Sequence, residues 1–362
     1  MTAFVNENRV VRKFIELTAI DSETGHEAVL FKQLRTELAL LGLTASPEVL
    51  GSNLLAQLPA THSGKTLLLS AHMDTVQPGC GVRAVCRDGR LYSQGETILG
   101  ADDKAGIAAI LEALRVLQER SVNHAAIDVL FTHGEESGLK GIQSIASDYL
   151  QADYGYTFDG EGPVGGFIQQ SNGQVLLTAT FTVAADSSLT AVAVARRVIR
   201  GLKGVRVEKK AKFTVSRFAG IDLKQAAVLF SVQSLSVHPT TSMIDSICQV
   251  CKRQAAACGG TVCFQTQSIF PGYAFASDHP LVQQAEAAIR QIGRKPVPKE
   301  SSGGSDANFL CSAGVPTLNL AVGFEQIHTA SEYLPVVELI KASELVLALI
   351  DQALTRERRR EG

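Results

Sequence analysis

The ten residues TILGADDKAG, Thr97 to Gly106, bring two acids and a lysine together where an apolar run gives way to a helical pattern. One acid at such a seam caps a helix. Two acids, Asp102 and Asp103, beside Lys104 ask for a further reason, and the other acids and histidines supply it. His72 and Asp74 close the run TLLLSA, Glu135 and Glu136 follow AIDVLF, Asp159 follows YGYTF, and His328 lies just past TLNLAVG. Each stands beyond the carboxyl end of a predicted core strand, where open α/β sheets bind ligands. Two imidazoles with carboxylates and no thiolate suit a divalent transition ion. His72 and Asp74 are two apart on an extended chain and share a face, so Asp74 can accept the second ring N–H of the imidazole. Adjacent Glu135 and Glu136 do not easily serve one ion together; one is expected to ligate while the other stays free as a base. Asp102, at a helix start, suits a bridge between two ions about 3.5–4 Å apart that share a water and polarise a carbonyl. Asp103 and Lys104 would then support the turn and the helix end. His133 is placed in the lining of the same pocket, and His26, His62 and His124 on surface loops.

Periodicity gives the elements that must position these groups. Residues 7–43 read as helix, interrupted by a turn at DSETGHE. KTLLLSAHMD, AAIDVLFTHGEE and YGYTFDGEG then read as short buried strands, separated by a helix over about 102–120 and another at SGLKGIQSIAS. That alternation predicts an α/β domain with a mostly parallel central sheet. From Gly173 the texture changes to strand, helix, strand, strand, helix (about 242–257) and strand, ending at TVCFQTQSIF. This is the ferredoxin-like α+β order. The α/β pattern resumes at DHPLVQQAEAAIRQIG, with a strand at VPTLNLAVG and a last helix to about 355. Residues 1–172 and 277–362 are therefore expected to form one metal-binding α/β domain, with 173–276 an inserted α+β domain.

Composition narrows the function classes. The chain has 362 residues, 45% hydrophobic and 19% charged, enough apolar side chain for a globular core. A formal charge of −2 leaves no electrostatic footprint for nucleic acid. The run RERRR at 356–360 reads as a solvated helix end. No stretch approaches the roughly 18 apolar residues that span a bilayer, and MTAFVNENRV lacks the pattern of a signal peptide. A cytoplasmic protein without nucleic-acid or membrane partners is the expectation. Of seven cysteines, Cys248, Cys251, Cys258 and Cys263 fall close together, but without a second CxxC they read as small core hydrophobes.

SAHMDTV, TILGADDKAGIAAILEAL, HGEESGLKG, FDGEG, SGGSDANFL and IHTASEYLPV occur in the order found in peptidase T-like proteins. The chain resembles that group over essentially its whole length. The group belongs to the co-catalytic zinc family that includes carboxypeptidases, aminoacylases and succinyl-diaminopimelate desuccinylase. The resemblance implies a zinc-exopeptidase-type catalytic domain with an inserted lid, which pairs two copies in relatives. It implies hydrolysis of an amide bond in short peptides with two divalent ions per chain, zinc or else cobalt or manganese. His72 and Asp159 would hold one ion, Glu136 and His328 the other, and Asp102 would bridge them. Glu135 would be the general base and Asp74 would orient His72. SSGGSDAN, with Gly304 and Asn308, resembles the Gly-rich loop beside the site, where main-chain N–H groups could meet substrate; a plain loop is the alternative.

The lid departs from the family. Its first strand commonly ends in a histidine that stabilises the oxyanion; here VAADSSLT puts Asp186 there. An arginine that grips a substrate carboxylate commonly follows the third lid strand; SVQSLSV has none, leaving Arg217 or His238 as substitutes. An N-acyl-amino-acid amidohydrolase, a carboxypeptidase and a metal-binding paralogue with little catalysis stay open as alternatives. Retention of Glu135 argues for catalysis, since a site that only binds metal needs no base.

Overall fold

The structure, a computed structural model, describes residues 4–46, 52–184, 187–202, 211–234 and 239–354. Helices α1 (Glu7–Thr18) and α2 (Ala28–Leu40) lead into β1 (Thr44–Ala45), β2 (Leu54–Leu58) and β3 (Leu67–His72). The hairpin β4 (Ala84–Arg87) and β5 (Arg90–Ser93) precedes α3 (Ala101–Arg120), β6 (Ile127–Thr132), α4 (Lys140–Gln143), β7 (Tyr154–Gly160) and β8 (Gly166–Ser171). Next come β9 (Gly173–Val183), α5 (Ala191–Gly201), β10 (Ala211–Gly220), β11 (Gln225–Ser234), α6 (Pro239–Ala256) and β12 (Gly260–Phe270). After β13 (Tyr273–Ala274) the chain runs through α7 (Pro280–Gln291), β14 (Val297–Ser301), α8 (Asp306–Ser312), β15 (Thr317–Ala321), β16 (Tyr333–Pro335) and α9 (Val336–Ala353). Two compact units result. The larger takes the residues up to Gln169, Phe275–Glu300 and those from Ser305 onward; the smaller takes Gln170–Ala274 with Ser301–Gly304.

In the larger unit the strand order is β1-β2-β6-β3-β7-β15-β8. The middle four strands are parallel and the flanking ones antiparallel, so the sheet is mixed and its parallel character is confined to the centre. Every residue of β3, β6 and β15 is buried, as expected of strands covered on both faces. The register lays Leu67 beside Ile127 and Tyr154, so that His72 of β3 stands next to Thr132 of β6. Three strands thereby end at one edge of the sheet, which is where the acids and histidines of the sequence lie.

The helix α3 is buried almost all round, which makes it an internal helix of the fold. Asp102 and Asp103 have non-helical backbone angles and a cis peptide bond between them, so the regular helix begins at Lys104. Gly106 lets it approach β7: a Cβ there would lie 2.4 Å from the Phe158 carbonyl oxygen and 2.5 Å from Asp103 Oδ1.

The smaller unit is an antiparallel sheet ordered β10-β11-β9-β12 with α5 and α6 packed on it, the ferredoxin-like topology. Alternate residues of β9 (Leu177, Ala179, Phe181, Val183) and β11 (Ala226, Val228, Phe230, Val232) fill its core. Cys251 and Cys258 are buried there, Cys248 packs against them, and all seven cysteines are free thiols.

Two local expectations fail. SGLKGIQSIAS forms only the single turn α4, because Asn53 and the Ser144 hydroxyl both donate to the Gly141 carbonyl that a longer helix would use. His124 is buried rather than on the surface; its N–H donates to Thr61 Oγ1, and its carbonyl accepts from Thr61 and His62. Among the described residues no helix is long and apolar enough to cross a membrane.

Gly106→Ala sets a gain of about 1 kcal/mol in helix propensity against overpacking of roughly 1–3 kcal/mol. The carbonyl facing the new methyl belongs to the sheet and has no room to withdraw, so net destabilisation is expected. Urea unfolding of the two proteins measures it.

Candidate metal centre

Asp102 is the hub of the sheet edge. One of its carboxylate oxygens, Oδ1, lies 3.0 Å from His72 Nε2, and the other, Oδ2, lies 3.2 Å from His328 Nε2. Asp159 Oδ1 is 3.6 Å from His72 Nε2, and Glu136 Oε1 is 2.8 Å from His328 Nε2. Ligands at about 2 Å around a tetrahedral ion stand roughly 3.3 Å apart, so these separations suit ions shared between them. Two sets offer ligand atoms within 4.8 Å of one another, His72 with Asp103 and Asp159, and His72 with Asp102 and Glu136. All five residues expected as ligands are thus brought together, along with Asp103.

Main-chain donors hold this cluster of acids in place. Asp74 Oδ1 accepts from the Glu135 N–H at 2.9 Å, and Oδ2 from the Glu136 N–H at 3.2 Å and from Thr24 Oγ1 at 2.7 Å. Glu27 Oε1 accepts from the Gly134 N–H at 3.2 Å. Three consecutive N–H groups of the GEE turn are therefore fixed by two carboxylates. The role expected of Asp74 shifts accordingly: its main-chain oxygen is 2.9 Å from His72 Nδ1, while its carboxylate is 3.5 Å away. Asp103 accepts the His72 N–H at 3.1 Å, and Lys104 Nζ donates to the Ile20 carbonyl at 2.7 Å. Both support the turn rather than face solvent.

The charges show what the cluster lacks. Burial pushes Asp159 up to about 7 and raises Glu135 strongly, with Asp159 adding to the shift of Glu135. Hydrogen bonds to Asp102 and Glu136 raise His328 to about 10. Burial opposes the protonation of His72, but its bonds to Asp102, Asp159 and Asp74 outweigh it and hold the imidazole well above its ordinary value. Among the described residues no lysine or arginine pairs with these acids, so protons on the histidines do the work of counter-ions. Divalent cations fit such a donor set, because they replace those protons and offset the excess negative charge. Among the described residues none donates a hydrogen bond to the Glu135 carboxylate, which leaves it available to a water.

The residues expected to meet substrate fare differently. His133 is half-buried beside the GEE turn. Asn308 is buried, and its Oδ1 accepts from the Ser305 N–H at 2.9 Å in a capping box that starts α8. Gly304 belongs to the smaller unit, where a Cβ would lie 2.6 Å from the Phe270 ring. Arg217 is exposed on β10. Asp186 and His238 lie outside the described residues.

Three positioning acids went unread in the sequence: Glu27, Asp306 and Glu332. Asp306 accepts from the Thr132 hydroxyl at the end of β6, and burial raises its pKa to about 6. Glu332 is buried and accepts from the Leu99, Gly100 and Asp102 N–H groups. Asp306 and Glu332 fall inside the motifs SGGSDANFL and IHTASEYLPV, so an acid within an already suspect motif was the available signal.

A mixed α/β sheet whose strand ends gather imidazoles and carboxylates around one shared aspartate is the architecture of a metal-dependent hydrolase. The chain belongs to peptidase family M20/M25/M40, whose model matches residues 68–352, the stretch that contains this whole edge from His72 to Glu332. It is 35% identical to the uncharacterized protein YqjE of Bacillus subtilis (strain 168), over 96% of this chain and 99% of that protein. The crystal structure of aminopeptidase PepT from Bacillus cereus ATCC 10987 superposes with a TM-score of 0.91 at 34% identity, covering 97% of this chain and 99% of that one. A tripeptidase of Staphylococcus aureus subsp. aureus mu50 gives 0.89 at 31% identity, covering 96% and 98%. The protein is a peptidase that hydrolyses the amide bond of peptides.

Proposed function

We propose that the chain is an aminopeptidase of short peptides working with two zinc ions. The likeness to an aminopeptidase and a tripeptidase at over 30% identity supports the substrate class. The observation that carries the assignment of roles is the pair of Asp102 oxygens, each turned to a different histidine. His72 and Asp159 would hold one ion and Glu136 and His328 the other, with Asp102 shared between them. When bound, such ions polarise the scissile carbonyl and acidify a water. Glu135 takes a proton from the attacking water and passes it to the leaving amine, a role its free carboxylate and raised pKa suit. Asp74 keeps Glu135 and Glu136 apart by gripping both main-chain N–H groups, so one carboxylate ligates while the other handles the proton.

The smaller unit acts as lid and as the seat of a homodimer. Its edge strand β10 leaves Val215 and Phe218 exposed, and Ile221 and Leu223 stand out from the turn that follows. An unpaired edge with apolar side chains is a template for a second copy. Seven unpaired thiols suit the reducing cytoplasm.

Light scattering on the purified chain is expected to give the mass of a dimer; a monomer at micromolar concentration would remove the edge-pairing proposal. Glu135→Gln is expected to keep both metals by elemental analysis while turnover of a tripeptide falls by roughly 10²–10⁴-fold. Asp102→Ala should instead lower the metal content; unchanged content would overturn the bridging role. An acidic Asp186 cannot donate to an oxyanion, and one such donor is worth about 10²–10³-fold. Tripeptide cleavage is therefore expected to be slow, and Asp186→His to speed it. Fast cleavage insensitive to Asp186→His and Asp186→Ala would show that the lid does not supply this donor.

A further inference from the structure

We infer that Glu332 is a positioning residue that couples the two metal-bearing loops and sets the affinity of the ion on the His328 side. The inference rests on the ligand assignment proposed above. Glu332 is 1% exposed, yet its carboxylate takes three main-chain N–H groups: Leu99 and Gly100 on Oε2, both at 2.8 Å, and Asp102 on Oε1 at 3.1 Å. These donors form the turn that aims Asp102. Gly100 sits in the left-handed region at φ 72°, and a Cβ there would meet Thr75 at 3.3 Å, so this point of the turn favours glycine.

The other end of the clamp is the loop of His328. His328 itself has φ 62° and Gln326 has φ 58°, two non-glycine residues in the left-handed region. Such conformations persist only when their surroundings over-determine them. His328 is also the one ligand whose side chain is nearly half exposed, at 46%, so packing alone does not hold it. Three contacts tie its loop down: Glu325 and Tyr333 pair across it, Gln326 N–H donates to Glu161, and Glu332, four residues on, is locked to the Asp102 turn. One carboxylate thus fixes Asp102 from behind and His328 along the chain. The charge of Glu332 matters for this: glutamine keeps the length but offers one acceptor oxygen to three N–H groups that burial denies to water.

Cobalt(II) titration of the full metal-free chain, together with tripeptide kinetics, tests the inference. Partners behind metal ligands are worth about 10–100-fold in metal affinity. For Glu332→Gln, the second Co(II) is expected to bind about 10–100-fold more weakly, and the first to lose clearly less, because His72 and Asp159 hold it outside the clamp. At limiting Co(II), kcat should fall with KM unchanged, and excess Co(II) should restore it, which a merely structural defect would not allow. His328→Ala removes the ligand on which the clamp acts, so the effects of the two substitutions should not add. Full additivity, or a Glu332→Gln protein that binds both ions as wild type does, overturns the coupling. If His328→Ala itself leaves both ions tightly bound, the ligand assignment fails instead. Should Glu332→Gln not fold, Glu332→Asp keeps the charge but draws it back by one methylene, and the same criteria apply to it.

Discussion

Burying several carboxylates side by side is the constraint on which the rest of the structure depends. A buried carboxylate without partners costs several kcal/mol, and here Asp74, Asp102, Asp103, Asp306 and Glu332 are all buried within one edge of one sheet. The protein meets that cost in two ways. Acids meant to stay as fixed anions are given N–H or hydroxyl donors: Asp74 takes the GEE turn and Thr24, Glu332 the turn before Asp102, and Asp306 the Thr132 hydroxyl. Acids meant for cations are given imidazoles instead. Asp102 and Glu136 stand against His328, and Asp102 and Asp159 against His72. The division between donors that cannot leave and protons that can sets the second group apart as the candidate metal centre.

The sheet turns this electrostatic arrangement into geometry. Parallel register brings the ends of β3, β6 and β7 to one level, so residues from distant parts of the chain meet without long loops. The helix α3 then has to begin at that level and still pass close to β7. Gly100 and Gly106 are where it does so, the first by its left-handed backbone and the second by the absence of a Cβ. A site built on strand ends and one buried helix is held to tighter tolerances than one built on loops. The His328 loop is the exception, and its two left-handed residues show what an exposed ligand requires of its backbone.

Membership in peptidase family M20/M25/M40 places this edge in a peptidase, and the likeness to an aminopeptidase at a TM-score of 0.91 extends over both units. The larger unit contains every group of the metal cluster. The smaller is a separate α+β core with its own helices; Cys251 and Cys258 are ordinary packing residues within it, Cys248 packs against it, and Cys263 is exposed. The two units thus have independent cores, which leaves the second free to change without disturbing the first.

The fold class and the ferredoxin-like order were legible because period-2 alternation marks a half-buried strand such as β9, and short unbroken apolar runs mark fully buried ones such as β3 and β6. Such sequence patterns overran at SGLKGIQSIAS, where Asn53, distant in sequence, takes the carbonyl a longer helix needs. They were silent on His124, whose burial comes from pairing with Thr61 and His62. Residue type and strand-end position were enough to single out His72, Asp74, Glu135, Glu136, Asp159 and His328 as metal-competent groups, with Asp102 added from its helix start, while the division into ligands and base came from the family resemblance. Sequence by itself therefore determined which side chains carry the chemistry, because ligand chemistry is a property of residue type. Only the tertiary structure decided which acids serve as anchors. Glu27, Asp306 and Glu332 act on main-chain N–H and hydroxyl groups far away in the chain, and a main-chain donor leaves no mark on the identity of the residue that offers it.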